Sequence, residues 1–199
     1  MTIGAQYGED AILEKYFQGQ HYGFVVDIGA ANGLDNSNTH ALLQQGGWQG
    51  LLVEPEPSQY KALEERYADN MHVRTVNCAC GSECGTQKFH IGGEGHKQGS
   101  TLLSEWKDRL EKDFDATYEA EIDVHVLTLV ELFDAYKVPE IDFLSIDCEG
   151  MDYQVLQSID WNRWQPTLIC MEGGGFALPE NYREFCRTAG NTLYVKLDI

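Results

Sequence analysis

The stretch "GFVVDIGAANG", Gly23 to Gly33, decides how this chain is read. Phe24 to Ile28 is apolar except for Asp27, as in a parallel strand covered on both faces. Gly29 and Gly33 then open a polar stretch that leads into a helical pattern. In doubly wound sheets, ligands bind beyond the carboxyl ends of the strands, and this first turn touches the cofactor. Glycine spacing narrows the kind. A dinucleotide turn follows G-x-G-x-x-G, whose glycines let the backbone approach a pyrophosphate. Here Ala31 takes the place of the second glycine, and Asp27 lies two residues ahead of Gly29.

D-x-G-x-x-x-G suits a cofactor with no phosphate to cradle. S-adenosylmethionine is one: it needs room for its methionyl end and polar partners for its amino and carboxylate groups. Glu54 ends the next apolar run, "GLLVEP", 21 residues beyond Gly33, where an acid accepts hydrogen bonds from ribose hydroxyls. Dehydrogenases place an acid there too, so Glu54 alone does not separate the cofactors. Helix capping and solvent-facing polarity also explain each acid singly. The phased loop and ribose acid together favour the cofactor.

Outward from this turn, apolar runs at 23–29, 50–55, 72–79, 141–147 and 166–172 predict strands. "NTHALLQQGG", "PSQYKALEERYADN" and "MDYQVLQSID" predict helices between them; Pro57 suits a first turn and Gly46-Gly47 a stop. The alternation predicts an α/β fold with an open, doubly wound sheet. Segment 84–130 breaks the rhythm. "GTQKFHI" and "AEIDVHVLT" predict extra strands, "STLLSEWKDRLEKDF" an amphipathic helix and "GGEGHKQGS" a mobile loop. It is expected to be an insertion partly covering the active site within a single domain, 1–199.

Acids outnumber bases 32 to 14, which disfavours docking on a nucleic-acid backbone or an anionic membrane. The N-terminus lacks the basic and apolar regions of a signal peptide, and no apolar run approaches the ~18–20 residues of a membrane helix. The six cysteines lack zinc-module spacing, and reduced, mostly structural thiols in a cytoplasm are expected.

"FVVDIGAANGLDNSNTHALLQQGGWQGLLVEPEPSQYKALEERY" resembles the start of FkbM-type S-adenosylmethionine-dependent methyltransferases. The shared features are Asp27-Ile28-Gly29-Ala30, Ser37-Asn38-Thr39, Gly47-Trp48-Gln49-Gly50 and Glu54-Pro55-Glu56-Pro57. "QYGEDAIL" is similar to the family's leading helix, and Ile146 to Gly150 to its I-D-x-E-G segment. The resemblance implies a class I methyltransferase (Rossmann-like) fold, with a mostly parallel sheet and one antiparallel strand at its end. It implies methyl transfer to oxygen, often on sugars or natural products. The candidate cofactor residues are Gln6, Asp27, Gly29, Ala30, Asn32, Gly33, Ser37, Asn38, Thr39, Glu54, Pro55, Asn77, Cys78 and Asp147. Two departures stand out. "MEGGGFALP" has glycines after Glu172 where members often carry His or Asn, and "CRTAGNTLYVKLDI" leaves room for one strand, so the terminal hairpin reads as shortened.

A sulfonium methyl is already activated, so the enzyme must hold a hydroxyl in line and remove its proton with a base or an acidifying metal. "SIDCEGMD", Ser145 to Asp152, supplies Asp147 and Glu149 after strand four, and Glu172 ends strand five. Extended backbone to residue 149 would turn Asp147 and Glu149 to one face, with Glu172 on a strand about 4.8 Å away. Asp147 and Glu172 are the candidate metal ligands, for magnesium, although clustered acids equally hold a raised-pKa base. Gly173 removes an amide ligand that metal-dependent relatives often offer. Asp152 is expected to cap a helix. His96 is the candidate mobile base, whereas His21, His40, His72 and His90 have surface explanations. Trp106, Trp161 and Trp164 are expected in the core or at its edge.

The expected function is O-methylation of a sugar, glycan or small natural product, with no nucleic-acid or membrane partner. The alternatives are a cofactor-binding module with degraded catalysis and a nicotinamide-dependent dehydrogenase.

Overall fold

The computed structural model describes residues 4–197. In chain order the first half contains β1 (Gly4–Ala5), α1 (Glu9–Tyr16), β2 (Gly23–Ile28), β3 (Asp35–Asn36), α2 (His40–Leu43), β4 (Trp48–Val53), α3 (Pro57–Tyr67) and β5 (Val73–Val76). Then come β6 (Ala79–Cys80), β7 (Gly85–Gly92), α4 (Ser104–Phe114) and β8 (Tyr118–Leu127). The last part contains α5 (Leu129–Tyr136), β9 (Phe143–Ile146), α6 (Asp152–Gln157), β10 (Leu168–Glu172), β11 (Tyr182–Arg187) and β12 (Asn191–Lys196).

The main sheet has seven strands in the order β11-β12-β10-β9-β2-β4-β5. β12 runs antiparallel to both its neighbours, while β10, β9, β2, β4 and β5 are parallel. Connections from β2 step outward through β4 to β5; those from β9 step the other way through β10. The order therefore reverses between β2 and β9, which opens the ligand crevice of such sheets.

Side-chain alternation explains why these runs are apolar throughout. Val26, Leu51, Val53, Leu144 and Ile169 point into a core closed by α5 and α6. Val25, Leu52, Phe143, Leu168 and Cys170 point to the opposite core, closed by α1, α2 and α3. Truncating one such fully buried leucine to alanine typically costs about 2–5 kcal/mol. α3 begins as its sequence predicts. Pro57 opens it, and the Glu56 carboxylate accepts the Gln59 N–H at 2.6 Å.

Segment 84–130 does form extra structure. β7 and β8 make an antiparallel ribbon, β6 joins β8 in parallel, and Phe89, Ile91, Val124 and Val126 form a small core beneath. The added sheet extends back to Ala79, and α5 begins at Leu129 inside the expected insertion. α5 returns to the main core, with Thr128 accepting the Glu131 N–H at its start. His90 is buried rather than at the surface, with Nε2 3.0 Å from Ser104 Oγ on α4.

The C-terminal expectation needs correction. A hairpin is present, β11 paired with β12. What is short is the link from β10, where "GGGFALP" runs without a helix. The hairpin turn is bound to the N-terminal helix: Glu9 is buried, and its Oε1 accepts from Thr188 Oγ1 (2.6 Å) and Asn191 Nδ2 (2.8 Å).

Candidate active site

A cavity of about 1200 Å³, open mouth included, lies at the carboxyl ends of β2, β4 and β9. Its lining includes the candidate residues Gln6, Asp27, Gly29, Ala30, Ser37, Asn38, Glu54, Pro55, Cys78, Asp147 and Glu149. The loop after β2 makes this possible. Gly29 has φ +86°, and a Cβ there would lie 1.8 Å from the Asp147 carbonyl oxygen, so only glycine lets these two loops close.

Four other candidates brace the cavity instead of lining it. Gly33 (φ +69°) lies against Leu63 and Tyr67, where a Cβ would approach Leu63 to 2.5 Å. Asn32 Oδ1 accepts the N–H groups of Leu34 and Asp35, each at 3.0 Å. Thr39 donates to Asp27 Oδ2 at 2.6 Å, and Asn77 donates to the Glu54 carbonyl at 2.8 Å.

Burial pushes Asp27 up to about 6, against the lowering effect of its hydroxyl donors. Burial likewise pushes Glu54 up to about 7, although its carboxylate accepts the N–H groups of Glu56 (2.7 Å) and Ala31 (2.8 Å). A carboxylate has about four acceptor positions, so Glu54 retains capacity for a ligand. Two further acceptors, Asn38 Oδ1 and Gln59 Oε1, are buried without a protein partner, and both residues line the cavity.

The acids after β9 arrange themselves differently from the extended path expected. β9 ends at Ile146, Glu149 has φ +48° and Gly150 φ +93°. This left-handed turn swings Glu149 toward the insertion, where Oε2 accepts from Trp106 Nε1 at 2.9 Å. The Trp106 ring packs on Gly150, where a Cβ would lie 2.9 Å away, and Arg109 covers the ring at 4.8 Å from its centroid. Thr101 Oγ1 also donates to the Glu149 carbonyl at 2.9 Å. Trp106 thus fastens α4 to the loop after β9, a role its sequence position did not signal.

Asp152 takes the place expected of Glu149. It is the first residue of α6, not its cap, and its Oδ1 accepts the Cys148 N–H at 3.1 Å. Asp147, Asp152 and Glu172 each offer an oxygen within 4.8 Å of the others. Burial and then the Glu172, Glu149 and Asp152 charges raise Asp147 well above the usual carboxylate range. Burial raises Asp152 to about 7 with help from Glu172, and raises Glu149 to about 7 against the Trp106 donor. Burial also raises Glu172, while nearby Arg109 draws it back. Tyr7 stands beside the group, its phenol raised by burial and then by Glu172 and Asp147.

His96 does not join this group. It precedes a short turn at Lys97–Gly99, its Nδ1 3.5 Å from Thr117 Oγ1, and it is absent from the cavity lining. The neighbouring Lys97 and Gln98 line the cavity instead, and Gln98 Oε1 accepts from Asn36 Nδ2 at 2.8 Å. No helix among the described residues is long and apolar enough to cross a membrane.

No curated protein matches the chain significantly. Among solved structures, a putative methylase, HI0767, from Haemophilus influenzae superposes with TM-score 0.55 at 13% identity, covering 96% of this chain and 88% of its own. A putative methyltransferase, yhhF, from Escherichia coli gives 0.53 at 13% identity, covering 96% and 87%. These likenesses support a class I methyltransferase-like α/β fold. Residues 27–191 match the methyltransferase FkbM domain, so the chain belongs to the FkbM methyltransferase family.

Proposed function

We propose that the protein transfers a methyl group from S-adenosylmethionine to a hydroxyl oxygen of a sugar, glycan or small natural product. The observation that carries this is the position of Asp147. It lines the cavity and also belongs to the three-carboxylate group with Asp152 and Glu172, neither of which lines it. A methyl donor and a proton acceptor need such a shared boundary.

The residues present fit the donor. Asp27, Asp35, Glu54, Asp147 and Glu149 line the cavity together with one cation, Lys97, a lining rich in acceptors that suits a sulfonium and an ammonium better than a pyrophosphate. The unpartnered Asn38 and Gln59 oxygens offer acceptors for amino or hydroxyl donors. In this reading Glu54 takes the ribose, and Ser37, Asn38 and Gln6 take the methionyl end, all of them lining the cavity. When bound, the donor supplies a methyl already activated by the sulfonium.

The chain's own groups then orient the acceptor and take its proton. Asp147 is the base: it stands where the cavity meets the acid group, and burial with the charges of Glu172, Glu149, Asp152 and Asp27 raises its proton affinity. Glu149 is a positioning residue, since its carboxylate is committed to Trp106. A second reading of Asp147, Asp152 and Glu172 is a site for a magnesium ion, favoured by three oxygens within 4.8 Å of one another. Chelator treatment decides between them: undiminished activity removes the metal, and loss restored by magnesium establishes it.

The test of the whole is calorimetry with S-adenosylmethionine and NAD, followed by labelled methyl transfer across sugars and alcohols. Saturable binding of the first alone, with transfer slowed about 10²–10³-fold in Asp147→Asn, is expected. Absence of donor binding overturns the proposal, and binding without transfer to any acceptor leaves a cofactor-binding module.

A further inference from the structure

Cys78 and Cys80 have no part in the chemistry above, yet both line the cavity from the segment joining β5 to β6. Two residues apart, both side chains enter the same buried cluster and line the same cavity, and each thiol shifts the other's proton affinity. Accepting the Cys80 S–H draws the Cys78 thiol below its ordinary range, whereas burial pushes Cys148, also in the lining, well up. Cys148 in addition donates to the Ile28 carbonyl at 3.8 Å. A thiol whose proton is held less tightly, with a second thiol two residues away in the same cavity wall, is the arrangement of an oxidisable pair.

We propose that Cys78 and Cys80 are a redox-sensitive dithiol in the cofactor cavity, oxidised to a disulfide by a hydroperoxide while the cavity is empty. The Cys78 thiolate attacks the terminal peroxide oxygen, the O–O bond breaks, and the leaving alkoxide takes a proton to become an alcohol. The Cys80 sulfur then displaces hydroxide from the Cys78 sulfenic acid, and hydroxide with the Cys80 proton leaves as water. Two thiols and one hydroperoxide thus give one disulfide, one alcohol and one water. A disulfide constrains its two Cα atoms to about 4.4–6.8 Å, whereas Gly81 N–H on the Leu127 carbonyl, at 3.0 Å, holds the following residue in place. The bond alters the stretch of cavity wall these two residues form, and the ligand loses fit there. Protection by a cofactor product rests on the methyl-donor reading above; pair formation does not.

The experiment uses Cys84→Ser, which removes the exposed thiol sharing a tryptic peptide with the pair, residues 75–88. The reduced protein is treated with hydrogen peroxide and mapped by mass spectrometry without reductant. Loss of two hydrogens within that peptide is expected, and Cys80→Ser in the same background should leave a trappable sulfenic acid at Cys78. S-adenosylhomocysteine at about 100 times its Kd should slow the reaction about a hundredfold, because only the empty fraction reacts. The oxidised protein should bind it at least about tenfold more weakly until reduced. A peptide that stays dithiol, or oxidation directed to Cys148, overturns the proposal. So does equal oxidation when calorimetry shows the product bound. If the reduced protein binds no S-adenosylhomocysteine, the methyl-donor reading fails, while a disulfide in the peptide still establishes the pair.

Discussion

The two sides of the cavity are held by different kinds of contact. On the side of the loop after β2, contacts are mostly local in sequence, Asp27 with Thr39, Asn32 with Asp35 and Glu54 with Glu56, and Ala31 reaches Glu54 23 residues on. On the side of the insertion, one indole and one threonine cross more than forty residues of sequence to reach Glu149. The first side is fixed by close backbone approach among the loops after β2, β4 and β9. The second depends on a separately folded ribbon and helix being seated against it. The cofactor side should therefore be rigid and intolerant of change, and the insertion side adjustable.

The harshest test of that contrast is Gly29→Ala. Its methyl group meets a backbone carbonyl in a left-handed conformation, and a loss of about 4 kcal/mol or failure to fold is expected in denaturant titrations. Next is Asp147→Asn, expected to lower kcat by about 10²–10³-fold while S-adenosylhomocysteine affinity changes only a few-fold. Trp106→Phe keeps the ring on Gly150 but removes the donor to Glu149. It should raise the acceptor KM about tenfold with donor affinity unchanged, in line with the loss of one charge-assisted hydrogen bond. Equal losses in donor and acceptor binding would erase the division between the two sides.

The smallest effect expected is on pH dependence. Asp27 near 6 and Glu54, Glu149 and Asp152 near 7 all lie above the ordinary carboxylate range near 4. The native state binds these protons more tightly than the unfolded chain. The stability they contribute is fully present below about pH 4 and is lost as pH rises through 6 to 7. The ligand-free protein should lose stability steadily between pH 5 and about 7 and level off above it. Asp152→Asn should flatten part of that slope, measured as denaturant midpoints.

What the sequence disclosed follows the same division. β2, β4, β9 and β10 were legible because strands buried on both faces read as near-continuous apolar runs. The loop from Asp27 to Gly33 was legible because its shape is local. β11 was not, since "YREFCR" at the sheet edge exposes most of its residues and carries no such run. α5 did leave a signal, Thr128 followed by Glu131, but it fell at the end of a segment treated as inserted. The acid assignments failed at one backbone angle. A left-handed Glu149 exchanges its place with Asp152, and nothing in "DCEGMD" besides Gly150 hints at that turn. Trp106 and its partner are a tertiary fact, beyond the reach of spacing.

The buried Glu9 carries a consequence in time. Its carboxylate also accepts the Tyr7 N–H, so the strap bearing Gln6 and Tyr7 is fastened to Thr188 and Asn191, 179 and 182 residues from Glu9 in sequence. Contacts of that span form late, because the chain between them must first be ordered. During synthesis the sheet centre can assemble while the cavity still lacks one wall. The strap closes only after Asn191 has left the ribosome, so competence to bind arrives with the hairpin, at the end of folding.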